Sequence, residues 1–395
     1  MQTSVLIVGQ GLCGTWLSFW LQQMGIDCIV IDEERPNTST RVASGVINPV
    51  TGRRMTRTWM ADEVIPFAAK AYEELGRVLS MKDEGRGTNE GRGQYQGQGR
   101  EGGLNTYDVF PANHQPSTIQ LIQRCDIIDF FNSPDRRKDF EEKAKQYAAE
   151  YLHWPEDEAA MQAHFRYELG YGIIAPAYQV DLQTMLDGWR QYLLQQQQLL
   201  AQRFDASQLQ LLPNGVQYQD IRADKIVFAD GIAAHAAGFF QLLPFALNKG
   251  EALILQIEGL PNNHIYKKGN SLTPWRGGYF WAGSTYNNHY TNDQPSEAFR
   301  QQMEAWLQSV LKHPFTVLDH VAAIRPATVE RRPFAGWHPQ HPQVGILNGT
   351  GTKGVTLAPY FAQQLAANIA QQTPLLPAVD VVRFARVLSR SWVED

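Results

Sequence analysis

The stretch VLIVGQGLCG, residues 5–14, decides the fold of this chain. Its first four residues form an apolar, largely β-branched run, which is typical of a strand buried in a parallel sheet. Gly9, Gly11 and Gly14 then match the G-x-G-x-x-G pattern, with Leu12 inside it, that turns from a strand into a helix and lets a pyrophosphate approach the backbone. A helix is predicted over 15–24, with its N-terminus facing the phosphates.

A second apolar run, CIVI at residues 28–31, ends at Asp32. An acid at the end of the second strand of such a unit accepts hydrogen bonds from the hydroxyls of an adenosine ribose, and Glu33 is a second candidate for that role. The pattern fits NAD and FAD equally well. The alternative interpretation is a glycine turn in an α/β protein of another kind.

The composition limits the classes of function. The chain has 395 residues, of which 43% are hydrophobic and 19% charged, and this predicts a globular protein of two or three domains. Its net charge of −5 argues against a nucleic-acid partner, since phosphate neutralisation needs clustered Lys and Arg. We expect no membrane span and no leader, and hence a cytoplasmic protein.

The cysteines and histidines indicate no metal site. Cys13, Cys28 and Cys125 are the three cysteines, and none has the spacing of a zinc knuckle or a redox pair. The histidines are scattered, and we expect His338 and His341 to be exposed residues of a proline-rich turn. No cluster predicts a structural metal or a Ser-His-Asp triad.

The order of the predicted elements indicates an α/β fold with an α+β insert. A Rossmann-like nucleotide-binding domain is predicted from residues 1–80, 171–245 and 320–395. A second domain with an antiparallel sheet is predicted from the two inserted segments 81–170 and 246–319.

Within these domains, helices are predicted over 61–79, 140–152 and 180–202, the last including the glutamine run 195–198. Residues 83–103 contain eight glycines and predict a flexible surface insertion, with an RNA-binding Arg-Gly tract as the alternative.

Three later segments resemble the D-amino acid oxidase superfamily of FAD-dependent amine oxidoreductases, which includes glycine oxidase and sarcosine oxidase. Residues 321–359 resemble its flavin-side signature, 223–231 its second FAD contact, and 43–49 its early flavin loop. The resemblance implies FAD as the cofactor. The positions it adds to the cofactor site are Ser44, Gly45, Ala229, Gly231, Gly349, Gly351 and Thr352.

Physical chemistry supports the C-terminal part of this assignment. A glycine loop that opens a helix presents backbone N–H groups and a partial positive charge, which stabilise the negative charge of a reduced flavin. Lys353 and Gly354 are the predicted donors. The alternative is a plain helix cap.

The resemblance also implies a substrate site. An arginine in the matching Arg-Pro segment of amino-acid oxidases binds the substrate carboxylate, and Arg325 occupies that position here. The alternative is a structural ion pair with an acid such as Glu330. Tyr279, Trp281 and Tyr286 are predicted to wall the site, with plain packing as the alternative.

Two departures from the superfamily bear on the chemistry. No cysteine follows Cys125, so the FAD is predicted to be non-covalent. The segment that matches the strand pair with the oxygen-activating lysine of sarcosine oxidases reads YFWA at 279–282, so both an oxidase and a dehydrogenase remain open.

The implied reaction is oxidation of a C–N bond of a small amine or amino acid. A hydride passes to flavin N5, and the imine is then hydrolysed. One alternative is oxidation of a carboxymethylamino group on a tRNA base, and another is a flavin-binding protein without turnover. The residues leave the amine, the electron acceptor and the oligomeric state open.

Overall fold

The structure is a computed structural model that describes residues 1–52, 54–83, 119–147, 150–236 and 238–390. Apart from its first residue, the insertion predicted at 83–103 lies outside these ranges. The domain boundaries at 80/81, 170/171, 245/246 and 319/320 remain predictions.

The strands of the described residues form two large sheets and two small ones. In chain order they are β1 (Gln2–Val8), β2 (Cys28–Ile31), β3 (Val46–Ile47), β4 (Val50–Thr51), β5 (Thr56–Arg57), β6 (Ile122–Arg124), β7 (Ile127–Phe130), β8 (Leu152–His153), β9 (Tyr171–Ile174), β10 (Tyr178–Val180), β11 (Leu199–Leu200), β12 (Leu209–Leu212), β13 (Gly215–Tyr218), β14 (Ile221–Phe228), β15 (Asn248–Ile257), β16 (Ile265–Lys268), β17 (Asn270–Pro274), β18 (Phe280–Gly283), β19 (Phe315–Arg325), β20 (Phe334–Trp337) and β21 (Val344–Asn348).

The helices of the described residues are mostly packed against the first sheet. They are α1 (Leu12–Gln23), α2 (Ala61–Asp83), α3 (Pro134–Gln146), α4 (Leu182–Gln195), α5 (Ala233–Ala236), α6 (Glu297–Val310), α7 (Gly354–Gln371) and α8 (Ala385–Leu388). None of these helices is both long enough and apolar enough to cross a membrane.

The first sheet confirms the predicted α/β core. Strand β1 lies between its parallel partners β2 and β14. Strand β21 pairs in parallel with the C-terminal residues of β14, on the side opposite β1. Helices α1, α2, α4 and α7 share one apolar cluster on one face, where Trp16 meets Tyr72 edge-on at 4.9 Å between ring centroids. Strands β12, β13 and β14 form an antiparallel meander at one edge of this sheet.

The second sheet is built from both predicted inserted segments, in the order β19-β15-β18-β17-β16-β7-β9-β8. We predicted an antiparallel sheet, and all of its pairs are antiparallel except that of β16 with β7, one from each segment, which is parallel. Strand β9 of this sheet lies beyond the predicted boundary at 170/171, and β19 crosses the predicted boundary at 319/320. An apolar cluster under α6 covers one face of this sheet.

Two helix predictions have wrong bounds. The helix predicted over 140–152 is α3, which begins earlier because Ser133 caps it by accepting from the Arg136 N–H and Pro134 occupies its first position. The helix predicted over 180–202 ends at Gln195. The chain turns through Gln197, whose φ is 58°, and β11 then pairs with β2 instead of continuing the helix.

The prediction for His338 is also wrong. This side chain is 1% exposed and packs beside Phe240, so burial and the neighbouring His341 lower its pKa to about 4. The proline-rich turn that carries both histidines folds back over the apolar cluster below the first sheet. The neutral imidazole of His338 therefore packs against the apolar residues on that face of the sheet.

Candidate active site

Four neighbouring parallel strands of the first sheet, β1, β2, β14 and β21, end at one edge. Ligands of open α/β sheets bind outside the carboxyl ends of the strands. A cavity of about 430 Å³ lies at this edge and extends to the second sheet. The predicted site residues on its walls are Gly9, Gly11, Leu12, Asp32, Glu33, Ser44, Ala229, Gly231, Gly351, Thr352, Gly354, Trp281 and Arg325.

The three glycines of the loop have different roles: Gly9 and Gly14 pack closely against the backbone, whereas Gly11 faces open space. Gly9 has a φ of 98°, and a Cβ there would lie 2.7 Å from the carbonyl oxygen of Ala229. A Cβ on Gly14 would lie 1.8 Å from the Gly9 carbonyl oxygen, so this glycine lets α1 approach the strand. A Cβ on Gly11 would have Thr40 Oγ1, at 3.6 Å, as its nearest neighbour. The loop therefore leaves room above Gly11 for a phosphate group.

Three of the four lone pairs of the Asp32 carboxylate accept hydrogen bonds from the protein itself. Its Oδ1 accepts from the Glu34 N–H at 2.8 Å and from Arg190 Nη1 at 3.0 Å. Its Oδ2 accepts from the Gln10 N–H at 2.8 Å. Each carboxylate oxygen offers two lone pairs, so Oδ2 retains one for a ribose hydroxyl. Glu33 lies beside it on the cavity wall with Arg35 at 3.7 Å.

Four predicted cofactor residues do not line the cavity: Gly14, Gly45, Gly349 and Lys353. Gly45 and Gly349 have φ values of 77° and 74°, and a Cβ on either would collide with Val180 or Thr328. The Lys353 N–H donates to the Thr350 carbonyl oxygen, and its Nζ lies 3.4 Å from Thr58 Oγ1. These residues, like Gly14, shape the loops behind the wall.

Arg325 lies at the other end of the cavity, half-buried at the end of β19. Its Nη1 donates to Asn248 Oδ1 at 2.9 Å and to the Thr285 carbonyl oxygen at 3.0 Å, and its Nη2 donates to Ser284 Oγ at 2.9 Å. All three partners are neutral. Among the described residues, nothing accepts from Nε–H or from the second N–H of Nη2.

The predicted alternative partner of Arg325 is engaged elsewhere. Glu330 pairs with Arg383 at 3.4 Å. Burial lowers the pKa of the Arg325 guanidinium, which has no carboxylate beside it in the part of the chain that the structure describes. The group still stays protonated, since an arginine pKa starts above 12.

One of the three predicted aromatic residues lies on the cavity wall. Trp281 is 7% exposed, and its indole Nε1 donates to the Val42 carbonyl oxygen at 3.0 Å. Tyr279 packs against the apolar cluster of Ala252 and Trp281 outside the cavity. Tyr286 is 54% exposed and is not part of the wall.

A family model described as "FAD dependent oxidoreductase", DAO, matches residues 4–368. The chain belongs to the DAO family. Solved structures agree on the fold: glycine oxidase from Bacillus cereus aligns with a TM-score of 0.72 at 14% identity, over 99% of this chain and 100% of that one. Glycine oxidase from Geobacillus kaustophilus aligns with a TM-score of 0.70 at 16% identity, over 97% of this chain and 98% of that one. Iminodiacetate oxidase from Chelativorans sp. aligns with a TM-score of 0.67 at 18% identity, over 96% of this chain and 98% of that one.

The cavity of this FAD-dependent oxidoreductase suits its cofactor. Helices α1 and α7 both begin at the wall, at Leu12 and Gly354, and neither has a side-chain cap. Their N-termini place partial positive charge where a pyrophosphate and a reduced flavin need it. Open space at Gly11 and a free lone pair on Asp32 complete a fit to FAD.

Two acidic groups of the wall carry shifted pKa values. Burial raises the pKa of the Cys13 thiol to about 12, and that of Asp230, next to Gly231, to about 7. The amide nitrogen of Asn348 lies 3.4 Å from Asp230 Oδ1. No cation forms an ion pair with Asp230 within the described ranges, and the cost of desolvation outweighs the backbone hydrogen bond that lowers this pKa.

Sequence reasoning missed the residues that support the predicted ones. Gln10 and Arg190 hold Asp32, and Asn248 and Ser284 hold Arg325. These contacts join elements far apart in the chain, so no local pattern marks them. The signal that was available for Arg190 is a charged residue on the apolar face of a predicted helix.

Proposed function

We propose that this FAD-dependent oxidoreductase oxidises the C–N bond of a small substrate that carries both an amine and a carboxylate. The observation that carries the proposal is the environment of Arg325: a half-buried guanidinium on the cavity wall, held by neutral acceptors only. A buried cation is stabilised when a carboxylate pairs with it. Glycine oxidase and iminodiacetate oxidase, two structural neighbours, are named for substrates of this kind.

Arg325 binds and orients the substrate in this proposal. Its Nε–H and one Nη2 N–H form a fork that matches the two oxygens of a carboxylate. Asn248, Ser284 and the Thr285 carbonyl oxygen fix the guanidinium plane, so the substrate enters a preset orientation. Trp281 closes the wall beside it and excludes water.

Bound FAD supplies a two-electron acceptor for the hydride on the carbon next to the amine. Of the acids on this wall, Glu251 is not a candidate base. Its carboxylate accepts from Ser296 N–H and Oγ, pairs with Lys249 and lies 3.3 Å from His320 Nε2. The amine is oxidised in its neutral form, no dedicated base is required, and the imine hydrolyses in water.

We further propose that FAD is held without a covalent bond. Residues around Gly11, Asp32 and Gly354 would hold it through backbone N–H groups, a carboxylate and helix N-termini. Cys13 lies on the cavity wall, but with its pKa raised to about 12 it stays protonated. The thiolate is the reactive form, so Cys13 is a poor nucleophile for flavin attachment.

The deciding experiment mixes the oxidised holoenzyme anaerobically with a panel of amino acids and the corresponding decarboxylated amines. Bleaching of the flavin absorbance by amino acids, and weaker bleaching by the amines, supports the proposal. Bleaching by no member of the panel contradicts it and leaves a flavin-binding protein without turnover. Salt-dependent binding of tRNA would instead indicate the tRNA-modifying alternative. Repeating the assay with O₂ or an artificial acceptor separates oxidase from dehydrogenase.

A further inference from the structure

Arg190 is a buried cation that reaches the cofactor end of the cavity from helix α4. Its side chain is 5% exposed, although the residue belongs to none of the predicted motifs. Nη1 donates to Asp32 Oδ1 at 3.0 Å and to Gln10 Oε1 at 3.3 Å, and Nη2 donates to the Asp32 carbonyl oxygen at 3.3 Å. One guanidinium thus connects α4, the glycine loop and the end of β2.

The third edge of this guanidinium is also occupied. Nε pairs with Glu34 Oε2 at 2.9 Å, and the other oxygen of Glu34 lies 3.3 Å from Arg41. Arg41 is buried as well and pairs with Asp187 of α4 at 2.8 Å. Glu34 is held with a φ of 58°, a conformation that is unusual for a non-glycine residue.

We propose that Arg190 is a positioning residue for FAD, which acts by fixing the Asp32 carboxylate so that Oδ2 accepts from the adenosine ribose. This inference rests on the placement of the ribose at Asp32. Arg190 and the Glu34 N–H fill both lone pairs of Oδ1, and the Gln10 N–H takes one of Oδ2. The remaining acceptor therefore has one fixed direction.

Without Arg190, the carboxylate would be held among the described residues by the backbone N–H groups of Glu34 and Gln10 alone, and its orientation would be less well fixed. A carboxylate torsion is broad and roughly two-fold, so Asp32 is free to turn unless its oxygens are held. Among the described residues, Arg190 is the one cation that pairs with Asp32. Burying an arginine carries a desolvation cost, and the fixed geometry is what the ribose site gains from it.

The test compares FAD with an analogue that lacks both hydroxyls of the adenosine ribose. Each is titrated into the FAD-free full-length protein, and binding is followed by quenching of flavin fluorescence. We expect Arg190→Met to weaken FAD about tenfold and to leave the analogue within about twofold, because only the contact to the hydroxyls is lost. Arg190→Lys keeps the charge but cannot reach Asp32 and Glu34 together, so it should show a smaller loss of the same kind.

A double-mutant cycle separates positioning from general destabilisation. Asp32→Asn should abolish the preference for FAD over the analogue, and adding Arg190→Met should then change little. Arg136→Met is the matched control, because Arg136 pairs with the buried Asp129 in the second sheet, away from the cavity. It should lower the melting temperature and keep the preference for FAD.

The outcomes distinguish the inference from the site on which it rests. If Asp32→Asn keeps the full preference for FAD, the ribose is not at Asp32 and both assignments fall. If Asp32→Asn loses the preference but both Arg190 variants keep it, only the role of Arg190 is overturned. Additive effects in the double variant, or equal losses for FAD and the analogue, likewise make Arg190 a structural residue. Arg190→Lys decides the question if the methionine variant does not fold.

Discussion

The guanidinium of Arg325 lies against the backbone of Gly250: a Cβ placed on Gly250 would be 1.8 Å from Nη2. Gly250 is on β15 and pairs with Ala323 on β19, two residues before Arg325. Any other residue at this position would occupy the space of the guanidinium. The orientation of Arg325 toward the cavity therefore depends on the missing side chain of its neighbour.

Gly250→Ala should displace Arg325 and raise KM for a substrate with a carboxylate. The methyl group would collide with Nη2, and an arginine about 1 Å out of place loses a well-aligned bidentate contact. FAD content should not change, because Gly250 lies at the substrate end. Steady-state kinetics with an amino acid and its decarboxylated amine check this. An equal rise in KM for the amino acid and for the amine would show that the variant disturbs the cavity wall in general and not the contact of Arg325 with the carboxylate.

Arg325→Lys should keep the positive charge but lose the fork, weakening an amino-acid substrate by about 1.5–3 kcal/mol. Arg325→Ala should weaken it further. Both variants should retain FAD, because Arg325 contacts Asn248, Ser284 and Thr285 and not the glycine loop. The measurement is the rate of flavin reduction at varied substrate concentration.

The control for the Arg325 variants is Arg300→Lys. Arg300 is an exposed residue of α6 that pairs with Glu304, so the same substitution there should leave the reduction rate unchanged. The amine without a carboxylate should be oxidised by Arg325→Ala about as well as by the native enzyme. Loss of FAD from either Arg325 variant would assign this residue a structural role instead.

Gly11→Val should abolish FAD binding and leave the protein folded. A branched side chain there has Thr40 Oγ1 as its nearest protein neighbour, 3.6 Å from the Cβ, but it fills the space that we assign to the pyrophosphate. The absorbance ratio of flavin to protein measures FAD content, and circular dichroism measures folding. Stoichiometric FAD in this variant would place the dinucleotide elsewhere in the cavity.

Acid precipitation of the native protein should release all of the flavin into the supernatant. Burial keeps Cys13 protonated, and Cys125 is buried in the second sheet region outside the cavity wall. Cys13→Ser should therefore bind and release FAD like the native protein. Flavin that remains with the native pellet but not with the Cys13→Ser pellet would identify Cys13 as a covalent attachment site.

The sequence predicted the parts of the site that depend on local pattern. Gly9, Gly11 and Asp32 follow strands whose apolar runs are continuous in the chain, so strand, turn and acid were all visible together. The surroundings of Arg325 were not, since Gly250 and Ser284 reach it through the pairing of β15, β18 and β19. Register between distant strands leaves no mark in a single sequence.

The same distinction explains one of the two errors in helix bounds. Residues 196–202 have helical propensity, but pairing of β11 with β2 buries Leu199 and takes the chain out of the helix. A tertiary contact thus overrides a local preference. For α3 the missed signal was local, because Ser133 followed by Pro134 is a start signal for a helix.

The stability of the FAD-free protein should depend on pH through Asp230. Burial raises the pKa of this carboxyl from its ordinary value of 3.8 to about 7. The folded protein therefore holds a proton that the unfolded chain releases across this range, so the contribution of Asp230 to the free energy of unfolding falls as the pH rises from 3.8 to about 7. Above that range the carboxylate is ionised in both states and the contribution is constant.

Asp230→Asn removes this proton without changing the size of the side chain. Other groups titrate equally in both proteins, so the difference between their free energies of unfolding isolates Asp230. We expect the variant to gain stability relative to the native protein as the pH rises toward 7, with no further gain above it. Urea unfolding at a series of pH values measures this difference. A difference that stays constant across the series would mean that Asp230 is solvated well enough to ionise normally, and that the wall of the cavity is open to water at this point.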